Sequence, residues 1–339
     1  MMRSIILSVV FSVLIGLANA QQQTAEILQK TAQSLIQKGD YENATLVLDR
    51  ARKQEPNNIE ILRDLCYANY LKRDFSKAIE VGKDLVDKPN ADEQSFQVLG
   101  LAYKAIASYK ECGKLYRTAL RIFPKSGVLH NEYGELQALE NQMDDAVAEW
   151  EKGIEVAPSY SSNYYNAAIY YAHKNNWFRS ALYAELFLNL ESYSTRTEDI
   201  KKQLFSDYQH LWIPGEMQNQ IQSGNLTAFE KTILTGLAAA RQSGLSSGSI
   251  DDIIGVRTRF LTGWMQQNAQ KYPYALFDRW QYLLNQGLFP AYHYWLFKSE
   301  EEKKTAEEWQ KDHPKDTDGY SAFQQSRVFK IPDGQYYHN

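Results

Sequence analysis

Along residues 127–160, apolar and small side chains recur at spacings of three and four, the period of one helix face. The first run carries His130, Tyr133, Gly134 and Gln137, and Asn141-Gln142 signals a turn. The second run carries Met143, Ala146, Trp150 and Gly153, and ends at Pro158, which cannot continue a helix. The pattern predicts two antiparallel helices. They approach closely where side chains are small, at Gly134 and Ala146, with Met143 and Trp150 filling the space on either side.

The same pattern repeats every 34 residues. One small-residue register is Ala32, Cys66, Gly100, Gly134 and Ala168; a second is Ala44, Ala78, Cys112, Ala146 and Ser180. A third carries a large side chain: Tyr41, Phe75, Tyr109, Met143 and Trp177. Three series in phase predict a stack of helical hairpins, in which each copy buries its apolar face against the next. A sixth copy would put Lys202 and Pro214 in the small positions, so the array is expected to stop at five. A helix over Glu198 to Trp212 would then cap it.

These residues resemble the tetratricopeptide repeat. The third copy carries Phe96, Leu99-Gly100, Tyr103, Tyr109, Tyr116, Ala119 and Pro124, and the first carries Gly39-Asp40-Tyr41, Ala44, Leu48, Ala51 and Pro56. The second has Arg73-Asp74-Phe75 with its proline one place early, and the fifth has Asn175-Asn176-Trp177 without the closing proline. The resemblance implies an all-α, right-handed helical-hairpin solenoid of about five repeats over 25–193 (25–58, 59–92, 93–126, 127–160 and 161–193). A non-repeat helical C-terminal region over 197–339 would follow.

Beyond residue 197 the period is lost but the helical pattern is not. Thr227 to Glu230 and Ser249 to Asp252 read as capping boxes before helices at Phe229–Ala240 and Ile253–Gln270. Further helices are expected at Ala275–Asn285, Phe289–Phe297 and Ser299–Lys311, with a flexible loop at Ser243–Gly248 and an extended tail from Val328 to Tyr337. The aromatic side chains of 277–297 read as core more readily than as a binding face. That stretch and the 327–337 ending are similar to the tails of exported repeat proteins of Bacteroidota-type bacteria, a likeness that brings no activity with it.

The first 20 residues change the expected compartment. Arg3, an apolar run from Ile5 to Leu17 and Ala18-Asn19-Ala20 form the pattern of a secretory signal peptide. A retained anchor is the alternative, although the run is short of the roughly 20 residues a bilayer needs. The protein is therefore expected outside the cytoplasm, periplasmic or secreted. The formal net charge of −4, with both signs mixed, gives no basic patch for nucleic acid. Cys66 and Cys112 occupy small-residue slots and are expected to be buried thiols rather than a disulfide.

The search for chemistry finds no metal, phosphate or nucleophile motif, and no cofactor is implied. Six histidines are scattered, and His130 sits at a packing position. Glu300 to Glu302 and Glu307-Glu308 are interleaved with Lys303-Lys304 and read as a solvated helix face. Asn43-Ala-Thr45 and Asn225-Leu-Thr227 match the glycosylation triplet, which is short enough to arise by chance.

In tetratricopeptide arrays the first helices of successive repeats line a concave groove. Carried onto this chain, that implies a partner-binding surface of Gln29, Gln33, Gln37, Arg63, Tyr67, Tyr70, Gln97, Leu101, Lys104, Asn131, Glu135, Tyr165, Asn166 and His173. The family's Lys/Asn carboxylate clamp is replaced by Gln29 and Gln33, which disfavours a chaperone-tail receptor. The reading is a non-catalytic scaffold or adaptor of the cell envelope that binds a protein or peptide. Two alternatives stay open: an enzyme with its site between the array and the C-terminal helices, and a glycan or cell-wall binding module.

Overall fold

The computed structural model describes residues 24–223, 226–242, 248–298 and 302–337. The signal segment, Asn225, most of the 243–248 loop, Glu300, Glu301 and His338 lie outside the described residues. Among those described there are 18 helices and no strand. The chain divides into two compact units between Ala119 and Leu120.

In the first unit, α1 (Ala25–Gln37) pairs with α2 (Tyr41–Gln54), and α3 (Ile59–Leu71) with α4 (Phe75–Val86). Next come α5 (Glu93–Ala105) and α6 (Tyr109–Ile122), whose last turn crosses the division. First helices also pack on one another, α1 on α3 and α3 on α5. The second unit continues with α7 (Gly127–Leu139) on α8 (Met143–Val156), then α9 (Ser161–His173) on α10 (Trp177–Leu190), and α7 again meets α9. The helical-hairpin solenoid read from the sequence is thus the fold of the chain.

Two further registers of 34 explain where the helices start and stop. Thr24, Asn58, Asp92 and Ser126 are the N-caps of α1, α3, α5 and α7, each side chain accepting a first-turn N–H. Ser95 returns the bond to the Asp92 N–H and completes a capping box. Between the helices of each pair, Gly39, Arg73, Ala107, Asn141 and Asn175 all have φ between +55° and +78°. The following N–H reaches back five residues, as in Asp40 N to Leu35 O (2.9 Å) and Gln142 N to Gln137 O (2.8 Å). Glycine and asparagine suit this left-handed position; Arg73 and Ala107 hold it at a cost of about 1 kcal/mol each.

The seam inside each hairpin is keyed by size. A Cβ on Gly100 would stand 1.9 Å from Tyr116 Oη, and one on Gly134 would stand 2.4 Å from Trp150 Nε1. In the second pair the roles reverse: Gly82 is the small partner and faces the Cys66 thiol. In the first, Ala32 and Leu48 occupy the same two positions, both fully buried. Met143 corrects the expected packing: it is 39 % exposed and opens α8, as Tyr41, Phe75, Tyr109 and Trp177 open the other second helices. The third register therefore marks a helix start more than a core slot. Both cysteines are free, buried thiols.

Past α10, α11 (Thr197–Leu211) takes the place of the expected capping helix, and Pro214 falls in the turn before α12 (Glu216–Gln222). Helices α13 (Ala228–Gln242) and α14 (Ile250–Gln267) follow, then α15 (Ala275–Asn285) and α16 (Phe289–Leu296). The last two are α17 (Lys303–Asp312) and α18 (Pro314–Ser326). The α15–α16 turn uses Gly287 at φ +72°, with Leu288 N bonded to Leu283 O. The hairpin turn of the array thus recurs here after its sequence period has gone. One core runs from Ala146 through the C-terminal helices to Ile331. It includes Phe277, Trp280, Leu283, Tyr292 and Leu296, so the aromatic stretch is core. The tail is extended and lies back on this unit, with Phe329 and Ile331 buried.

Candidate partner-binding faces

The first helices of the first unit are tied to each other by side chains. Gln29 and Gln33 both donate Nε2–H to Asp64 Oδ2, at 2.8 and 2.9 Å. Arg63 pairs with Asp92 at 2.7 Å. Burial pushes the Asp92 carboxyl up, but the Ser95 hydroxyl and amide together with Arg63 hold it below its ordinary value. Tyr67, 40 % exposed, stacks on Tyr70 at 6.1 Å, and Tyr70 in turn leans on Phe75. Gln97, Leu101 and Lys104 are half-buried on α5, and Gln33 and Gln37 are exposed on α1. The face offers amides, one ion pair and a two-ring tyrosine platform.

In the second unit the predicted residues are more deeply used by the fold. Asn131 is only 3 % exposed; its Nδ2 donates to Glu135, and its Oδ1 accepts from Asn166 at 2.9 Å. Tyr165 lies under the Arg196 guanidinium and against Phe187. His173 is exposed, its Nδ1–H donating to Ile169 O. His130, expected to pack, is buried against Glu149.

The largest concentration of buried charge is one that sequence reasoning missed. Arg257 on α14 is fully buried and pairs bidentately with Glu185 on α10. All five guanidinium N–H groups have acceptors: two on Glu185, two on the Tyr208 oxygen, and the fifth on His293 Nε2. His293 Nδ1 contacts Phe289 O at 2.7 Å, so it carries the proton and Nε2 is free to accept. Burial and then the Arg257 charge hold His293 well below its ordinary pKa, which keeps it neutral. Glu185 also accepts from Trp280 Nε1 and the Tyr292 hydroxyl, and the guanidinium is sandwiched by Tyr208 and Trp280. No spacing links positions 185, 208, 257, 280, 292 and 293, and the sequence signal that was available is a charged residue amid the apolar run of α10. Every polar group in this cluster faces another, and none faces solvent chemistry.

A second buried acid is poised differently. Asp207 on α11 is fully buried and meets no cation; Ser180 Oγ lies 2.6 Å from Oδ2 and Gln203 Nε2 2.8 Å from Oδ1. Burial outweighs those two hydrogen bonds and pushes its pKa up to about 7. The folded state thus holds this proton where an unfolded aspartate, near 3.8, has lost it. Stability is full below about pH 4 for this group and falls as pH rises towards 7, by about 1.4 kcal/mol per pH unit at most. Asp207→Asn is expected to flatten that slope in denaturant titrations between pH 4.5 and 7.5. An unchanged slope would mean the acid is ionised in the fold.

A cavity of about 310 Å³ lies between α13 and α14, lined by Gly236, Gly263, Phe260 and Trp264, with Arg259 the one ionisable lining residue. Among the described residues no three His, Cys, Asp or Glu groups converge as a metal site, and no helix is long and apolar enough to cross a membrane.

With stacked helix pairs, left-handed turns and small-residue seams, the chain has the architecture of a helical-hairpin solenoid. No protein-family profile matches it, and no curated protein does. Solved structures are similar to it at low identity. The thermophilic TPR protein TTC0263 of Thermus thermophilus is 19% identical, over 54% of this chain and 98% of that one, with a TM-score of 0.46. MamA is 21% identical, over 48% of this chain and 94% of that one, with a TM-score of 0.39. YrrB, described as a TPR protein with an unusual peptide-binding site, is 17% identical over 52% and 92%, with a TM-score of 0.36.

Proposed function

We propose that the chain is a non-catalytic, exported protein-interaction scaffold of the cell envelope that binds an extended peptide or a helix on its first-helix faces. The observation that carries this reading is the Tyr67–Tyr70 platform beside the Gln29–Gln33–Asp64 fork and the Arg63–Asp92 pair. Exposed tyrosine gives a partner rigid apolar area with a hydroxyl at its tip, and the amides bond main chain. Export is inferred from the first 20 residues alone. The buried ionisable groups support a structural role, because they satisfy one another and leave none directed at a substrate.

A photo-crosslinker at Tyr67, installed in the native compartment, should capture a partner that the same group at Glu80 on α4 does not. Arg63→Ala with Tyr67→Ala should reduce recovery of that partner at least tenfold while helical content stays unchanged. If the double variant retains the partner in full, the face is wrongly assigned.

A further inference from the structure

The segment after α18 is bound to the second unit as a peptide ligand is bound. Phe329 and Ile331 point in and are buried, while Val328, Lys330 and Pro332 are exposed. This alternation is how an extended peptide presents side chains to a receptor. A turn at Asp333-Gly334, with Gly334 at φ +80°, then redirects the chain. Gln335 Oε1 accepts the Ala275 N–H at 2.7 Å, so it satisfies a first-turn donor of α15 that the N-cap Tyr274 does not cap with its side chain. Tyr337 packs on Phe229 at 4.6 Å and donates its hydroxyl to Pro273 O at 2.8 Å. Near its start, Phe329 lies under the Arg279 guanidinium.

We propose that this surface of the second unit is a peptide-recognition site, and that residues 329–337 are its cis ligand, exchangeable with an extended segment of the same pattern supplied in trans. The pattern is apolar-x-apolar-Pro, a two-residue turn, then Gln-Tyr-Tyr. The reading does not rest on the first-helix faces. Its physical basis is that a few side-chain anchors hold a segment whose positions 328, 330 and 332–334 are exposed, against the ordering of the whole tail. A tethered ligand of this kind competes at an effective concentration in the millimolar range. It therefore masks the site from a free peptide of moderate affinity without sealing it.

The test uses the chain ending at Arg327 and a synthetic peptide of residues 327–339. The shortened chain should bind the peptide with a Kd in the micromolar range. Full-length protein should bind it at least about tenfold more weakly, the cis tail being in the way. Full-length Gln335→Ala with Tyr337→Ala should recover part of that difference. A peptide with Ile331→Asp should not bind. A folded shortened chain that ignores the peptide would overturn the proposal, as would equal binding to both chains. If the shortened chain does not fold, a protease site placed at Arg327 in the full chain replaces it. After folding and cleavage, the tail should leave on dilution and be chased by excess peptide. A cleaved tail that stays and cannot be chased marks a fixed structural strap and overturns the proposal.

Discussion

Glu185→Ala is expected to destabilise the second unit by about 3–5 kcal/mol, because it leaves the Arg257 charge buried and without its bidentate partner. The cost arises from stranding a cation, so removing both charges should restore much of it. Glu185→Leu with Arg257→Met replaces the pair by apolar groups of similar reach and should recover most of the loss. Unfolding can be followed selectively, since all seven tryptophans lie at or beyond Trp150 and their emission reports the second unit alone. Trp280, bonded to Glu185, should show the change most directly. If the single substitution costs less than about 1 kcal/mol, or the pair is no more stable than the single, the cluster does not hold the helices together in this way.

Gly134→Leu should cost about 3 kcal/mol or more. The first atom added is already in conflict, 2.4 Å from Trp150 Nε1 and 2.9 Å from the backbone oxygen of Ala146, so α7 and α8 must separate. The size key offers its own rescue. Gly134→Ala with Trp150→Leu reproduces the Ala32 and Leu48 pairing of the first hairpin. That double variant should lie within about 1.5 kcal/mol of the parent, whereas Trp150→Leu alone leaves a void beside the glycine. A double-mutant cycle in denaturant measures the coupling. Additive costs would show that the two positions are not keyed to each other.

The parts of this fold that were legible in the sequence are those set by period. Helix pairs, small-residue seams and the place where the array ends follow from side chains that must recur wherever identical backbones stack. The capping and turn registers also had that period but used chemically mixed residues. Thr24, Asn58, Asp92 and Ser126 share an acceptor oxygen rather than a type, and Arg73 and Ala107 occupy a turn position that propensity assigns to Gly39 and Asn141. Past residue 197 there was no period to read. The Arg257 cluster joins residues separated by up to 107 positions, a juxtaposition that only the packing of α10 against α14, α15 and α16 creates. The candidate faces were only partly legible. Helix phase places Tyr67 and Gln33 outward, but the depth of Asn131 depends on neighbours that its own helix does not specify.

The bond from Gln335 to the Ala275 N–H also has a temporal side. The two residues are 60 positions apart, so during synthesis α15 exists for many translation steps before its cap is made. In that interval the helix start competes only through local water and its packed neighbours. Closure of the second unit is then a late event in biogenesis, and a ribosome stalled between α16 and Gln335 would expose a chain whose last helices are assembled but not yet fastened.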